Sequence, residues 1–186
     1  WVEGFIGPHE ESYVLNFLNI LGLRPEMSIL DLGAGLGGPS RLLAERLGVW
    51  ITGREISAEL AAEGMELAHK AGMAKKATID HLDPSAPDLP ENKYDVAFAF
   101  DTFYRIEDKT AFLGAVAASL KEKAQISFTD LVAGDEDQGE ILQQWMDLEP
   151  EPVHLWSVKD YTDALQANGL SIGLSPLDLT SDYCDL

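Results

Sequence analysis

The chain has 186 residues, 46% of them hydrophobic and 24% charged, which suits one globular core and excludes a disordered or fibrous protein. Its 32 Asp and Glu against 13 Lys and Arg give a formal net charge of -19, which repels phosphate backbones and argues against nucleic acid as a partner. The single Cys184 excludes an internal disulfide framework, and no apolar run reaches membrane-spanning length and no signal segment opens the chain, so a cytoplasmic protein without a membrane partner is expected.

In chain order, the first element is an amphipathic helix over 10–21, with Val14, Leu15, Leu18 and Leu21 on one face. An apolar strand at 28–32 then breaks into Gly33, Gly35, Gly37 and Gly38, and the chain resumes as a helix over 39–47 with Gly48 as its stop. A second strand at 49–53 leads to Glu55, and Ser57 caps a helix that runs to 71. Strands follow at 76–80, 94–100 and 125–130, with a helix at 109–121 before the last of them. Residues 139–148 form a helix that buries Ile141, Leu142, Trp145 and Met146. Pro150 and Pro152 end that segment. Ser157-Val158-Lys159-Asp160 opens a capped helix closing at Asn168-Gly169, and 170–177 reads as a sixth strand. Alternating strands and helices predict an α/β protein, a Rossmann-like doubly wound sheet with helices on both faces, in one domain spanning 1–186.

The glycine turn is the strongest functional signal. Glycine reaches positive φ and lets a ligand lie against the backbone, and the amides opening the next helix point toward that ligand. Gly33-x-Gly35-x-Gly37 also begins a dinucleotide fingerprint, but Asp31, just before the turn, repels a pyrophosphate and suits an ammonium group. Glu55, roughly twenty residues beyond the turn, stands where an acid bonds ribose hydroxyls.

As it stands, Ile29-Leu30-Asp31-Leu32-Gly33-Ala34-Gly35-Leu36-Gly37-Gly38 closely resembles the first motif of class I S-adenosylmethionine-dependent methyltransferases. Gly53-Arg54-Glu55-Ile56-Ser57 resembles the second, with Glu for the commoner Asp and Arg54 where an apolar residue is usual. The resemblance implies S-adenosylmethionine as cofactor and S-adenosylhomocysteine as product. Asp80-His81-Leu82-Asp83 and Leu89-Pro90-Glu91-Asn92-Lys93-Tyr94-Asp95-Val96 resemble the third-strand acidic loop and the fourth strand. By resemblance, Asp83 meets the adenine amino group, His81 and Leu82 flank the ring, and Asp101 lies near the methionine moiety and the substrate. Trp1-Val2-Glu3-Gly4-Phe5-Ile6-Gly7-Pro8 is similar to the lid of small-molecule N-methyltransferases acting on phosphoethanolamine, glycine or sarcosine. The implied cofactor set is therefore Ile6, Asp31, Gly33, Gly35, Glu55, Ile56, Leu82, Asp83 and Asp101, with Asp101 and Tyr104 as catalytic residues.

Leu120-Lys121 and Ile126-Ser127-Phe128-Thr129-Asp130-Leu131 match the helix end and fifth strand of that group. Three departures stand out: Lys121-Glu122-Lys123-Ala124 for a Lys-Pro-Gly-Gly turn, Tyr104-Arg105-Ile106 where a His-Ile pair is common, and Leu131 for a substrate-side tyrosine. The antiparallel seventh strand of the fold has little sequence left to supply it, which reads as a chain truncated at its C-terminus. Trp at position 1 in place of Met reads likewise as a trimmed start.

The expected reaction is in-line methyl transfer to a small-molecule acceptor, with an amine favoured. An activated sulfonium needs mainly positioning of a lone pair. Tyr104, Asp101, Asp130 and His154 are the groups that orient or deprotonate the acceptor, and Trp145 and Trp156 form either core or an aromatic wall worth roughly 0.5–2 kcal/mol to a cation. Residues 1–8 and 131–156 are expected to form a mobile cover, with Gly134-Asp135-Glu136-Asp137-Gln138-Gly139 as a hinge. No metal-ligand spacing and no nucleophile elbow appear. Two other readings remain: a cofactor-binding pseudoenzyme or regulatory subunit, suggested by the altered turn and Arg105, and an NAD-dependent oxidoreductase.

Overall fold

The computed structural model describes residues 4–5, 11–134 and 139–181, apart from the side chain of Ile141. Five parallel strands form its sheet: β1 (Ser28–Leu32), β2 (Trp50–Glu55), β3 (Ala77–His81), β4 (Tyr94–Phe100) and β5 (Leu120–Thr129), in the order β3-β2-β1-β4-β5. The chain starts at the middle strand, moves out to β3, then returns to β4 on the other side of β1. The order in which the chain adds strands therefore reverses between β1 and β4, the place where doubly wound folds open a crevice at the carboxyl ends of their strands.

Alternation along β1 divides the core. Leu30 and Leu32 join a cluster with Phe112, Leu113, Val116, Tyr161 and Leu165, supplied by α4 (Lys109–Ser119) and α6 (Val158–Ala167). Ile29 faces the opposite cluster with Val14 and Leu18 of α1 (Glu11–Asn19) and Leu42 and Leu43 of α2 (Gly38–Leu47). Ala61 of α3 (Ala58–Lys70) packs on Ile79 at the β3 end of that same face. Both faces are thus covered, which is why β1 and β4 read as nearly unbroken apolar runs.

Local sequence sets the element ends. The Ser57 hydroxyl accepts from the Leu60 amide to start α3, the Asp108 carboxylate accepts from Ala111 to start α4, and Ser157 with Asp160 closes a full capping box on α6.

Three expectations need correction. The helix expected over 109–121 stops at Ser119, because Leu120 already pairs with Tyr94 and β5 begins there. The next ladder pair is Val96 with Gln125, so residues 121–124 bulge opposite Asp95 alone, with Lys123 at φ 66°. Residues 170–177 form no strand: they are mostly exposed, and no described strand lies beside them to take up their backbone hydrogen bonds. α5 (Gly139–Leu148) forms as expected, but Leu142, Trp145 and Met146 are only half-buried and Leu148 is exposed. The expected positions of Ile6 and of 135–138 lie outside the described residues.

A candidate ligand site along the carboxyl edge of the sheet

The glycine turn, Glu55-Ile56, His81-Leu82-Asp83, Asp101, Tyr104 and Asp130 fall on one edge, where β1 to β5 end. After β1 the turn takes Gly33, Gly35 and Gly37 at φ 74°, 53° and 73°. Glycine is required at Gly33 on two counts, since a Cβ there would sit 2.0 Å from the Thr102 hydroxyl as well as on a left-handed backbone. The turn is tied down by amides. Gly33 and Ala34 donate to the Arg54 carbonyl at 2.8 and 3.2 Å, and Gly38 donates to Gly4 at 2.8 Å, which sets residues 4–5 against the start of α2.

Glu55 is the clasp of this half. It is 8% exposed, and its carboxylate accepts the Gly35 amide at 2.7 Å through Oε2 and the Ser57 amide at 2.8 Å through Oε1. Each oxygen keeps a lone pair for a further donor. Ile56 beside it is half-buried, Leu82 at the end of β3 is buried, and both belong to the α4–α6 core cluster. Asp83 is exposed and bonds the Ser85 amide and hydroxyl at 2.9 and 2.7 Å, bonds that hold its carboxyl below the usual range. His81 is exposed.

Asp31 lies differently from the other carboxylates. It is 2% exposed and turns toward α2, where Ser40 donates to it at 2.6 Å. Burial pushes its carboxyl up to about 7, with the Ser40 bond opposing and the Glu55 charge adding to the rise. Nothing in the sequence flagged Ser40, a small polar residue in the first turn of a helix.

On the other side of the switch point, Asp101 has φ 48°, uncommon for a residue with a side chain. Two bonds to β5 hold it: its amide donates to the Thr129 carbonyl at 3.0 Å, and the Thr129 hydroxyl donates to its carboxylate at 2.8 Å. A 3-10 turn, Phe103–Arg105, follows. Its Tyr104 amide donates to Asp130 at 3.0 Å, while the second Asp130 oxygen takes the Tyr161 hydroxyl. Burial lifts the Asp130 carboxyl to about 6, against the pull of those bonds and of the Lys109 charge. Burial also raises Tyr161 and lowers Lys109.

The segment from α5 to α6 closes over this half. His154 donates its amide to the Tyr104 carbonyl at 2.7 Å, Ala133 donates to Trp156 at 3.0 Å, and Val132 and Trp156 form a short bridge. Arg105 bonds Glu149 at 2.5 Å and the Glu151 carbonyl at 3.2 Å, and it stacks over the Tyr104 ring at 4.8 Å. Trp145 lies 6.5 Å from the Tyr104 ring and Trp156 lies 5.3 Å from Tyr161, so the two indoles attach to different partners. Lys109 is 1% exposed: its ammonium donates to the Ile106 and His154 carbonyls and sits 5.4 Å over the Trp156 ring. Sequence reasoning missed this lysine, because directly after a helix cap it reads as a solvated charge. Among the described residues no group of His, Cys, Asp and Glu is placed to hold a metal ion.

Comparison with known proteins adds three results. The family model described as a methyltransferase domain matches residues 9–173. Among curated proteins, the glycine/sarcosine/dimethylglycine N-methyltransferase of Actinopolyspora halophila is 33% identical over 132 residues, 70% of this chain and 23% of that protein. Phosphoethanolamine N-methyltransferase 3 of Arabidopsis thaliana is 28% identical over 128 residues, 69% of this chain and 26% of that one. The chain thus spans about a quarter of the length of these relatives. Among solved structures, Haemonchus contortus phosphoethanolamine N-methyltransferase 2 in complex with S-adenosyl-L-methionine superposes with a TM-score of 0.89 at 21% identity, over 98% of this chain and 42% of that one.

Proposed function

The chain belongs to the methyltransferase-domain family, and from that premise we propose that it moves a methyl group from S-adenosylmethionine to a small-molecule amine. The observation that carries this reading is the carboxylate-lined edge joined to the glycine turn, with Glu55 fixed between the Gly35 and Ser57 amides. Its donor chemistry fits the cofactor. Glu55 offers lone pairs to vicinal hydroxyls, Ile56 and Leu82 offer apolar surface to a flat ring, and Asp83 offers a carboxylate to an exocyclic amine. A diphosphate on the same edge would face Glu55, Asp83 and Asp101.

When bound, the sulfonium supplies an activated methyl group, whose transfer to a nitrogen lone pair breaks the carbon–sulfur bond and leaves the thioether S-adenosylhomocysteine. The chain's own work is positioning and exclusion of water. Asp101, at the end of β4, and Tyr104, one turn later, present an acceptor to the switch point. Asp130 braces Tyr104 through its amide, and Thr129 braces Asp101. Residues 139–156 cover this half as a lid, and residues 4–5 lie against the start of α2 on the other half. Asp31 acts through the α2 start, by way of Ser40.

Titration calorimetry with S-adenosylmethionine, S-adenosylhomocysteine and NAD tests the reading, and binding of the first two without NAD is the expected result. Binding of NAD alone would overturn it.

A further inference from the structure

On the reading proposed above, we infer that the acceptor is an amine carrying neither a phosphate nor a carboxylate group. The acceptor half of the edge holds the described carboxylates of Asp101 and Asp130, and that of Glu149, which pairs with Arg105. Its described cations are already committed. Arg105 spends one guanidinium nitrogen on Glu149 at 2.5 Å and another on the Glu151 carbonyl at 3.2 Å, and its face on the Tyr104 ring. Lys109 is 1% exposed and points its ammonium at two backbone carbonyls beneath Trp156. Lys159, at the start of α6, pairs with Asp163 at 2.5 Å. Lys121 and Lys123 stand at the other end of β5, with Lys121 held by Asp95.

An anionic group on the acceptor would therefore meet the Asp101 and Asp130 carboxylates and, among the described residues of this half, no lysine or arginine without a partner. Like charges brought together in a partly desolvated site cost several kcal/mol of discrimination. An ammonium or neutral amine with an uncharged tail meets the opposite situation, with the Asp101 and Asp130 carboxylates and the Tyr104 ring, which Trp145 approaches at 6.5 Å. The curated relatives named above act, by their names, on phosphoethanolamine and on glycine and its N-methylated forms, all of which carry an anion. The Arg105–Glu149 pair is the feature of this chain that removes the guanidinium from such service.

The test compares matched pairs with the full chain and S-adenosylmethionine at pH 8, above the ordinary titration range of imidazole, so that a histidine charge does not enter. Ethanolamine is set against phosphoethanolamine, and glycinamide against glycine, with S-adenosylhomocysteine binding measured on the same preparation. The expected result is kcat/KM about tenfold or more higher for the uncharged-tail member of each pair. In Glu149→Gln, where Arg105 loses its carboxylate partner, the gap for phosphoethanolamine narrows several-fold. Preference for phosphoethanolamine or glycine, or no transfer to either uncharged-tail amine while S-adenosylhomocysteine binds, overturns the inference. Failure to bind S-adenosylhomocysteine instead overturns the cofactor reading on which it rests.

Discussion

The two halves of the carboxyl edge are held by different means. From β1 to β2 the backbone does most of the holding: amides of Gly33, Ala34, Gly35, Gly38 and Ser57 find fixed acceptors, and the side chains involved, Asp31, Ser40 and Glu55, are buried. From β4 to β5 side chains do it, through buried Thr129 on Asp101, buried Tyr161 on Asp130 and Arg105 on Glu149, and the three carboxylates that accept are half-buried. Backbone clasps tolerate little change in sequence, and they suit the part of a site that recognises an invariant ligand. Side-chain clasps can be exchanged one residue at a time, as a specificity surface must be.

The buried half should respond more to disturbance, and Asp31 gives the largest effect. Burial lifts its carboxyl to about 7 from its ordinary value of 3.8, so between those values the folded chain keeps a proton that the unfolded chain has released. Stability therefore falls as pH rises through this window and levels off above it. Asp31→Asn keeps an acceptor for Ser40 and has no proton to lose. Between pH 4 and pH 8, wild type should lose on the order of 4 kcal/mol more stability than the variant, read by urea unfolding at several pH values. Parallel curves for the two proteins would show that the carboxyl is not held as described.

Next in size is the glycine turn. Gly33→Ala places a Cβ on a left-handed backbone and against the Thr102 hydroxyl, costing about 3 kcal/mol from strain and overpacking together. Gly22→Ala is the matched control: it has φ 57° but open space around it, so only the backbone cost, about 1 kcal/mol, is expected. Equal urea midpoints for the two variants would deny the close approach of β4 to the turn.

A smaller effect, on binding, comes from Glu55→Ala, which should weaken S-adenosylhomocysteine by about 1.5–3 kcal/mol, the range for a hydrogen bond to a charged group. Calorimetry at matched temperature reads it, and unchanged affinity removes Glu55 from the site.

The same division explains what was legible beforehand. β1, the glycine turn, Glu55 and the caps at Ser57 and Ser157 each write their structure into a few neighbouring residues, as an apolar run, a glycine spacing or a hydroxyl before a helix. Lys109 and Tyr161 carry no such local mark, because what buries them is Trp156, His154 and Asp130 from distant parts of the chain. Residues 120–121 differ from expectation for a related reason: Leu120-Lys121 continues the helical pattern locally, and only pairing of Leu120 with Tyr94 ends the helix at Ser119 and starts the strand there. The stretch 170–177 has strand-like composition, yet a strand is a shared structure and none of the described strands is beside it.

The weakest effect belongs to the cover on the acceptor half, and it separates the two means of holding most directly. The Arg105–Glu149 pair is about three-quarters buried, with side-chain exposures of 25% and 21%, so its loss should cost about 1 kcal/mol. Spread over the whole fold that is small. Concentrated on 139–156, whose other ties include the His154 and Ala133 hydrogen bonds, the Lys109 bond to the His154 carbonyl and the Trp145 and Trp156 ring contacts, it should raise local opening about fivefold. Hydrogen exchange on Arg105→Ala should thus quicken in 139–156 while α3 and the glycine turn stay protected. Added S-adenosylhomocysteine should slow exchange in 139–156 of wild type and leave α4 little changed. Equal exchange in free and bound protein across that segment would leave the cofactor half intact and reduce the cover to a fixed part of the wall.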